Sequence, residues 1–154
     1  MRRTGWTIVV AVCILSTFGA GAAMPQTATD TATVNGRART DSLRSTLAGV
    51  YTEAQAKRGQ QTYAGICASC HTPTSHTGET FNQNWNGHPL SDLYLYVSQQ
   101  MPQDNPGSLN PNDAADVVAF LLKIYAMPMG TDELAPDTVA LKKIRIDPPK
   151  GPPQ

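Results

Sequence analysis

Cys67, Ala68, Ser69, Cys70 and His71 are the residues of this 154-residue chain whose types and spacing dictate a chemistry. Two thiols three positions apart stand about one helical turn apart, so both can reach one edge of a flat macrocycle and bond to its two vinyl groups. The next residue sets an imidazole under the ring centre, where it can ligate iron. Five residues thus fix ring and axial ligand together, the pattern of c-type haem attachment. Three other uses compete. A thioredoxin-like redox pair needs a β-α-β pattern that the flanking residues lack. A zinc site needs further ligands, and the chain has no second CxxC and no closely spaced histidine pair. The third is a chance match in a cysteine-poor protein.

What such an iron could do depends on its sixth coordination position: open, it binds gases or peroxide; closed by thioether sulphur, it mainly moves electrons. Met101 lies 30 residues beyond His71, directly before Pro102, at the end of a predicted short helix. Met127 and Met129 flank Pro128, and His76 and His88 offer imidazoles. Each has an ordinary use as well, gap-filling core for a methionine and exposed loop for a histidine. Trp85 has two readings, an aromatic at the haem edge donating its indole N–H to a propionate, or a core tryptophan.

The elements that must position these groups are helical. Thr52, with Gln55 three residues on, has the pattern of a capping box, and Glu53 to Ile66 lacks proline, which predicts a helix. Gly59, Tyr63 and Cys67 recur every four residues and share one face of it. Thr72 to Pro89 reads as a long loop that must close over something. Ser91 caps a short helix from Asp92 to about Gln100, with Leu93, Tyr94 and Val97 on its apolar side and Pro102 as its stop. Asn110, Pro111 and Asp113 open the last clear helix, which runs to about Tyr125 with Val117, Val118, Leu121, Leu122 and Tyr125 as its stripe. No segment of useful length alternates with a strand period. The compact domain, residues 51–130, is small enough to need a staple, and a covalently held macrocycle is one.

Both ends read differently. Arg2 and Arg3, an apolar run from Trp6 to Phe18, and the small residues Gly19 to Ala23 follow the order of a secretory leader over residues 1–23, cleaved near Ala22 or Ala23. Cys13 goes with it. Export places the protein in the periplasm, with membrane contact only if the leader is retained as an anchor. Residues 24–50 are a Thr/Ala-rich flexible arm; residues 131–154 are a Pro-rich tail partly packed through Leu141, Ile144 and Ile146, with the last six residues mobile. Charge excludes one class of function. Twelve basic residues balance 12 acidic ones, and removal of the leader leaves 10 against 12, so there is no basic excess for nucleic acid.

Taken together, these residues resemble the class I c-type cytochromes of bacteria, from about Gly49 to Asp147. Gly59, Tyr63 and Cys67-Ala68-Ser69-Cys70-His71 look like the first helix of that family, whose small and aromatic residues cross the last helix; Leu122 and Tyr125 occupy the matching places there. The string from Met101 to Leu109 is similar to the methionine-ligand loop, which implies Met101 as the second iron ligand beside His71. Gly49 to Gly59 and Asn84 to Tyr94 look like the subgroup found beside periplasmic quinoprotein dehydrogenases. The resemblance implies a cytochrome c fold, all-α, with three to four short helices wrapped around one covalent haem c and long loops. It further implies an electron carrier rather than an enzyme, taking electrons from a periplasmic dehydrogenase toward a cytochrome or terminal oxidase. A haem enzyme or gas-binding protein with an open sixth position, and a fixed cytochrome subunit of a larger dehydrogenase, are the alternatives. Residues 51–130 carry 3 basic against 6 acidic side chains, which favours a positive partner surface.

Overall fold

The computed structural model describes residues 43–149. The expected leader, the arm up to residue 42 and residues 150–154 lie outside the described residues. The described chain is mostly helical: α1 (Glu53–Thr62), α2 (Gly78–Trp85), α3 (Leu90–Gln100), α4 (Pro111–Ile124) and α5 (Thr138–Leu141). A two-residue strand, β1 (Arg44–Ser45), runs parallel to another, β2 (Ile144–Arg145). No helix among the described residues is long and apolar enough to cross a membrane.

Capping residues set the helix starts as their side chains demand. The Thr52 hydroxyl accepts from the Gln55 amide at 3.1 Å, and the Asn110 carbonyl oxygen accepts from the Asp113 amide at 2.9 Å, with Pro111 in the first turn where its missing N–H costs nothing. The other half of the expected capping box does not form. The Gln55 side chain instead turns inward, donating to the Leu134 carbonyl at 2.9 Å and accepting from the Leu134 amide at 2.8 Å. A buried polar side chain is thus fully occupied in fastening the tail to α1.

The centre is α1 packed on α4. Their backbones touch at Gly59, where a Cβ would lie 1.8 Å from the Asp116 carbonyl oxygen. Beside that contact Arg58 forks onto Asp116 at 2.8 and 3.0 Å and reaches Glu133 at 2.8 Å. One turn on, Tyr63 packs on Phe120 with ring centroids 5.1 Å apart. The expected crossing partners are therefore displaced. Leu122 is buried and Tyr125 is stacked on Phe81 at 4.2 Å, while the crossing point sits five to six residues earlier on α4 than expected.

Three expectations about the periphery change. The loop from Thr72 to Pro89 contains the 3-10 turn Pro73–His76 and the helix α2, held by the Phe81–Tyr125 stack, and α5 adds a fifth helix beyond the three or four expected. α3 begins at Leu90, with Pro89 rather than Ser91 in the capping position. The described end of the arm is not solvated spacer: Thr46 and Val50 are buried, and Gly49 meets Gly130 so closely that side chains there would collide with backbone. The tail packs as expected through Leu141 and Ile146, and also through Leu134.

Candidate functional site

α1 does not end cleanly at Thr62. Tyr63–Cys67 forms a single π turn, closed by the Ala68 amide on the Tyr63 carbonyl at 2.9 Å. Cys67 then starts a new turn. Its carbonyl accepts from the Cys70 amide at 3.1 Å and from the His71 amide at 2.9 Å, which gathers two thiols and one imidazole on one turn of backbone. Burial pushes the half-buried Cys67 thiol up, while Cys70 is exposed.

These residues line a cavity of about 1220 Å³. Phe81, Asn84 and Trp85 of α2, Leu93, Tyr96 and Val97 of α3, and Val117 and Leu121 of α4 form further parts of its wall. Met101 to Asn105, with Ser108 and Leu109, supply the rest. Met101 is half-buried and extended, with φ −116° and ψ 151°, because a residue before proline is driven out of the helical region; α3 stops at Gln100 for that reason. The lining carries no lysine or arginine among the described residues, and Asp104 is its one carboxylate.

The expected site residues separate into two groups. Cys67, Cys70, His71, Met101 and Trp85 all line this cavity, and so does His76. Met127 is buried away from it, its carbonyl accepting from the Tyr51 hydroxyl at 2.7 Å, while Met129 is exposed and His88 leans on Asp92 at 3.4 Å. His76 touches the His71 ring, centroids 4.9 Å apart, and two imidazoles in mutual contact do not stand on opposite faces of one macrocycle. Burial, and after it the neighbouring His71, lowers the His76 pKa and keeps it neutral.

Phe81, Asn84, Tyr96, Asn105 and Ser108 were not singled out by sequence. Phe81 and Trp85, four apart, carried a helical signal obscured by the surrounding polar residues. Trp85 packs edge-on against Tyr96 at 5.5 Å, which places both on one flank of the cavity.

The cavity fits a haem by three criteria. Its volume exceeds the roughly 300–1,000 Å³ of ordinary small-molecule sites. Its walls are largely aliphatic and aromatic, yet the Tyr63 hydroxyl is buried among them without a hydrogen-bond partner, as a polar group facing a bound cofactor is. Its donors are imidazole, thioether and two thiols, and no cluster of three or more His, Cys, Asp or Glu side chains among the described residues gathers to hold a bare ion.

Comparison with known families agrees. Residues 54–121 match the family model described as cytochrome C oxidase, cbb3-type, subunit III, a span from the first turn of α1 to Leu121 of α4 that includes every cavity residue named above. No curated protein and no solved structure matches the chain. Over that span the match supports a c-type cytochrome, and a cytochrome c domain implies a covalently bound haem c.

Proposed function

We propose that this protein is a periplasmic electron carrier in which His71 and Met101 are the axial ligands of the haem iron and Cys67 and Cys70 its covalent anchors. One observation supports the ligand set above others: Cys67, Cys70, His71 and Met101 line a single cavity, and no other methionine among the described residues does. Haem-based electron transfer, and redox partners in general, go with the cytochrome domain. Bound haem supplies a one-electron couple between Fe(II) and Fe(III).

The chain's residues do the rest. Cys67 and Cys70 would hold the haem through two thioethers, each S–H adding across one vinyl double bond, so that nothing would be released and no oxidant consumed. His71, tied by its amide to the Cys67 carbonyl, holds its imidazole on the same turn. The Met101 sulphur is a neutral donor, and with Leu93, Val97 and Leu109 it disfavours the added positive charge of ferric iron, which raises the potential relative to two histidines. Trp85, on the cavity wall, would pack at the cofactor edge. A periplasmic dehydrogenase as donor and a cytochrome or terminal oxidase as acceptor fit an acidic domain that docks weakly on positive surfaces. Residues 1–23 provide export. The match to subunit III of cbb3-type cytochrome C oxidase favours a second reading, a fixed subunit of a larger oxidoreductase; copurification at constant stoichiometry separates it from a free carrier.

Oxidised and reduced visible spectra of the exported protein test the proposal. A low-spin ferric spectrum, a weak sulphur-to-iron band near the red end that Met101→Ala abolishes, and no carbon monoxide binding to the ferrous wild type are expected. Retention of the band in Met101→Ala, or a high-spin ferric protein that binds carbon monoxide, overturns the ligand assignment.

A further inference from the structure

The described end of the arm and the tail are built into one another. β1 pairs in parallel with β2, Arg44 opposite Ile144 and Ser45 opposite Arg145, and the Arg44 amide donates to the Lys143 carbonyl at 2.8 Å. Thr46, fully buried, closes the next step: its hydroxyl donates to the Asp147 carbonyl at 3.3 Å and accepts from the Asp147 amide at 3.0 Å. Chain segments a hundred residues apart in sequence are thereby joined over their whole short length.

This joint grips the start of α3. The Ile146 amide donates to the His88 carbonyl at 2.9 Å and the Gly87 amide donates to the Ile146 carbonyl at 2.8 Å, while Pro89 bridges to Arg145. α3 also packs on α5 and β2, with Leu141 and Ile146 both buried. Its other packing partner is α4. A helix of 11 residues moves as a rod, and this one carries Leu93, Tyr96 and Val97 on the cavity wall and delivers Met101 from its last turn. Holding its first turn therefore holds its end.

We propose that residues 44–47 and 138–147 form a clasp that positions α3 and thereby keeps Met101 at the cavity, with Thr46 and Ile146 as the positioning residues. The inference rests on Met101 being the sixth ligand. With the clasp loosened, α3 opens locally more often, the Met101 sulphur leaves more often, and an external ligand can take its place.

The test uses the haem-loaded full chain with Thr46→Val, which removes both bonds to Asp147 at nearly constant volume, and Ile146→Ala. Tyr51→Phe, which removes a buried bond to Met127 outside the clasp, controls for general destabilisation. Carbon monoxide, which the ferrous wild type is expected not to bind, is expected to bind measurably to both clasp variants and to remain unbound by Tyr51→Phe. Amide exchange over Leu93 to Val97 should accelerate in the clasp variants while that over α1 does not; this readout does not depend on which residue ligates iron. Clasp variants whose exchange rises equally everywhere, or whose carbon monoxide binding matches Tyr51→Phe, overturn the proposal. If exchange over α3 rises selectively but Met101→Ala keeps its sulphur band, the clasp positions α3 and the ligand assignment is what fails.

Discussion

Gly59→Ala is the most direct test of how this domain is assembled. A methyl group at residue 59 would lie 1.8 Å from the Asp116 carbonyl oxygen, 2.4 Å from its carbon and 2.9 Å from the Val117 nitrogen. Ordinary contact is about 3.4–4 Å, so α1 and α4 would have to separate by roughly 1.5 Å, and all three obstacles are backbone, which cannot swing aside as a side chain can. Two effects oppose each other. Alanine in a helix interior gains about 1 kcal/mol over glycine. Overpacking of a tight contact costs about 1–3 kcal/mol or more, and here separation also stretches the Arg58–Asp116 fork and the Tyr63–Phe120 contact that flank the crossing. With all three obstacles in the backbone the cost lies at the upper end, about 3 kcal/mol, and wins by about 2 kcal/mol, which for a domain near 100 residues is a fall of roughly 8–16 °C in melting temperature. Gln60→Ala, one residue along on the exposed face of α1, should stay within about 0.5 kcal/mol of wild type. Thermal and denaturant unfolding followed by helical circular dichroism would decide the matter. A Gly59→Ala protein as stable as Gln60→Ala would mean that α1 and α4 do not meet at this glycine, and the account of the core would fail with it.

Other consequences follow from named contacts. Gln55→Leu strands the amide and carbonyl of Leu134 in a buried setting, at least about 2 kcal/mol by denaturant unfolding, against no more than about 0.5 for Lys57→Ala. Burial, then the nearby Glu53 charge, pushes the Tyr51 pKa up to about 12, whereas in the unfolded chain it is near 10. The folded form holds that proton longer, so its contribution is complete below pH ~10 and falls by roughly 2–3 kcal/mol as pH rises to ~12; Tyr51→Phe should flatten this alkaline limb of the stability curve. At the acid end, the Ser45 hydroxyl, with Arg145 after it, holds the Asp147 carboxyl below its usual range. That contribution is complete above pH ~4 and lost on further acidification, so Asp147→Asn should flatten the acid limb of a melting-temperature titration. Raising ionic strength should slow electron transfer with a positively charged partner, and a rate unchanged from about 10 mM to 1 M salt would remove electrostatic steering from the proposed function.

What could be read from sequence, and what could not, divides by the range of the interaction responsible. The Cys67–Cys70–His71 turn, the Thr52 and Asn110 caps and the stop of α3 before Pro102 are decided within about four residues, and each is legible as a pattern. α2 is not. Its eight residues include Gly78, Asn82 and Asn84, poor helix formers, and its fixed point is Phe81 stacked on Tyr125, 44 residues away. Gly59 announces that something passes close to α1 but not what, so Asp116 and Phe120 could not be chosen over Leu122 and Tyr125 from the periodicity of α4 alone. The π turn at Tyr63–Cys67 leaves no compositional trace. Strands of two residues are too short to show alternation, and Thr46 reads as linker because its burial is made good by Asp147, 101 residues away. The cavity depends on both kinds of information: local signals supply its chemistry, while long-range contacts at Gly59, Phe81 and Thr46 set how far apart the walls bearing that chemistry stand. Substitutions at the local positions should therefore change which groups face the iron, whereas substitutions at the distant ones should change how firmly the same groups are held.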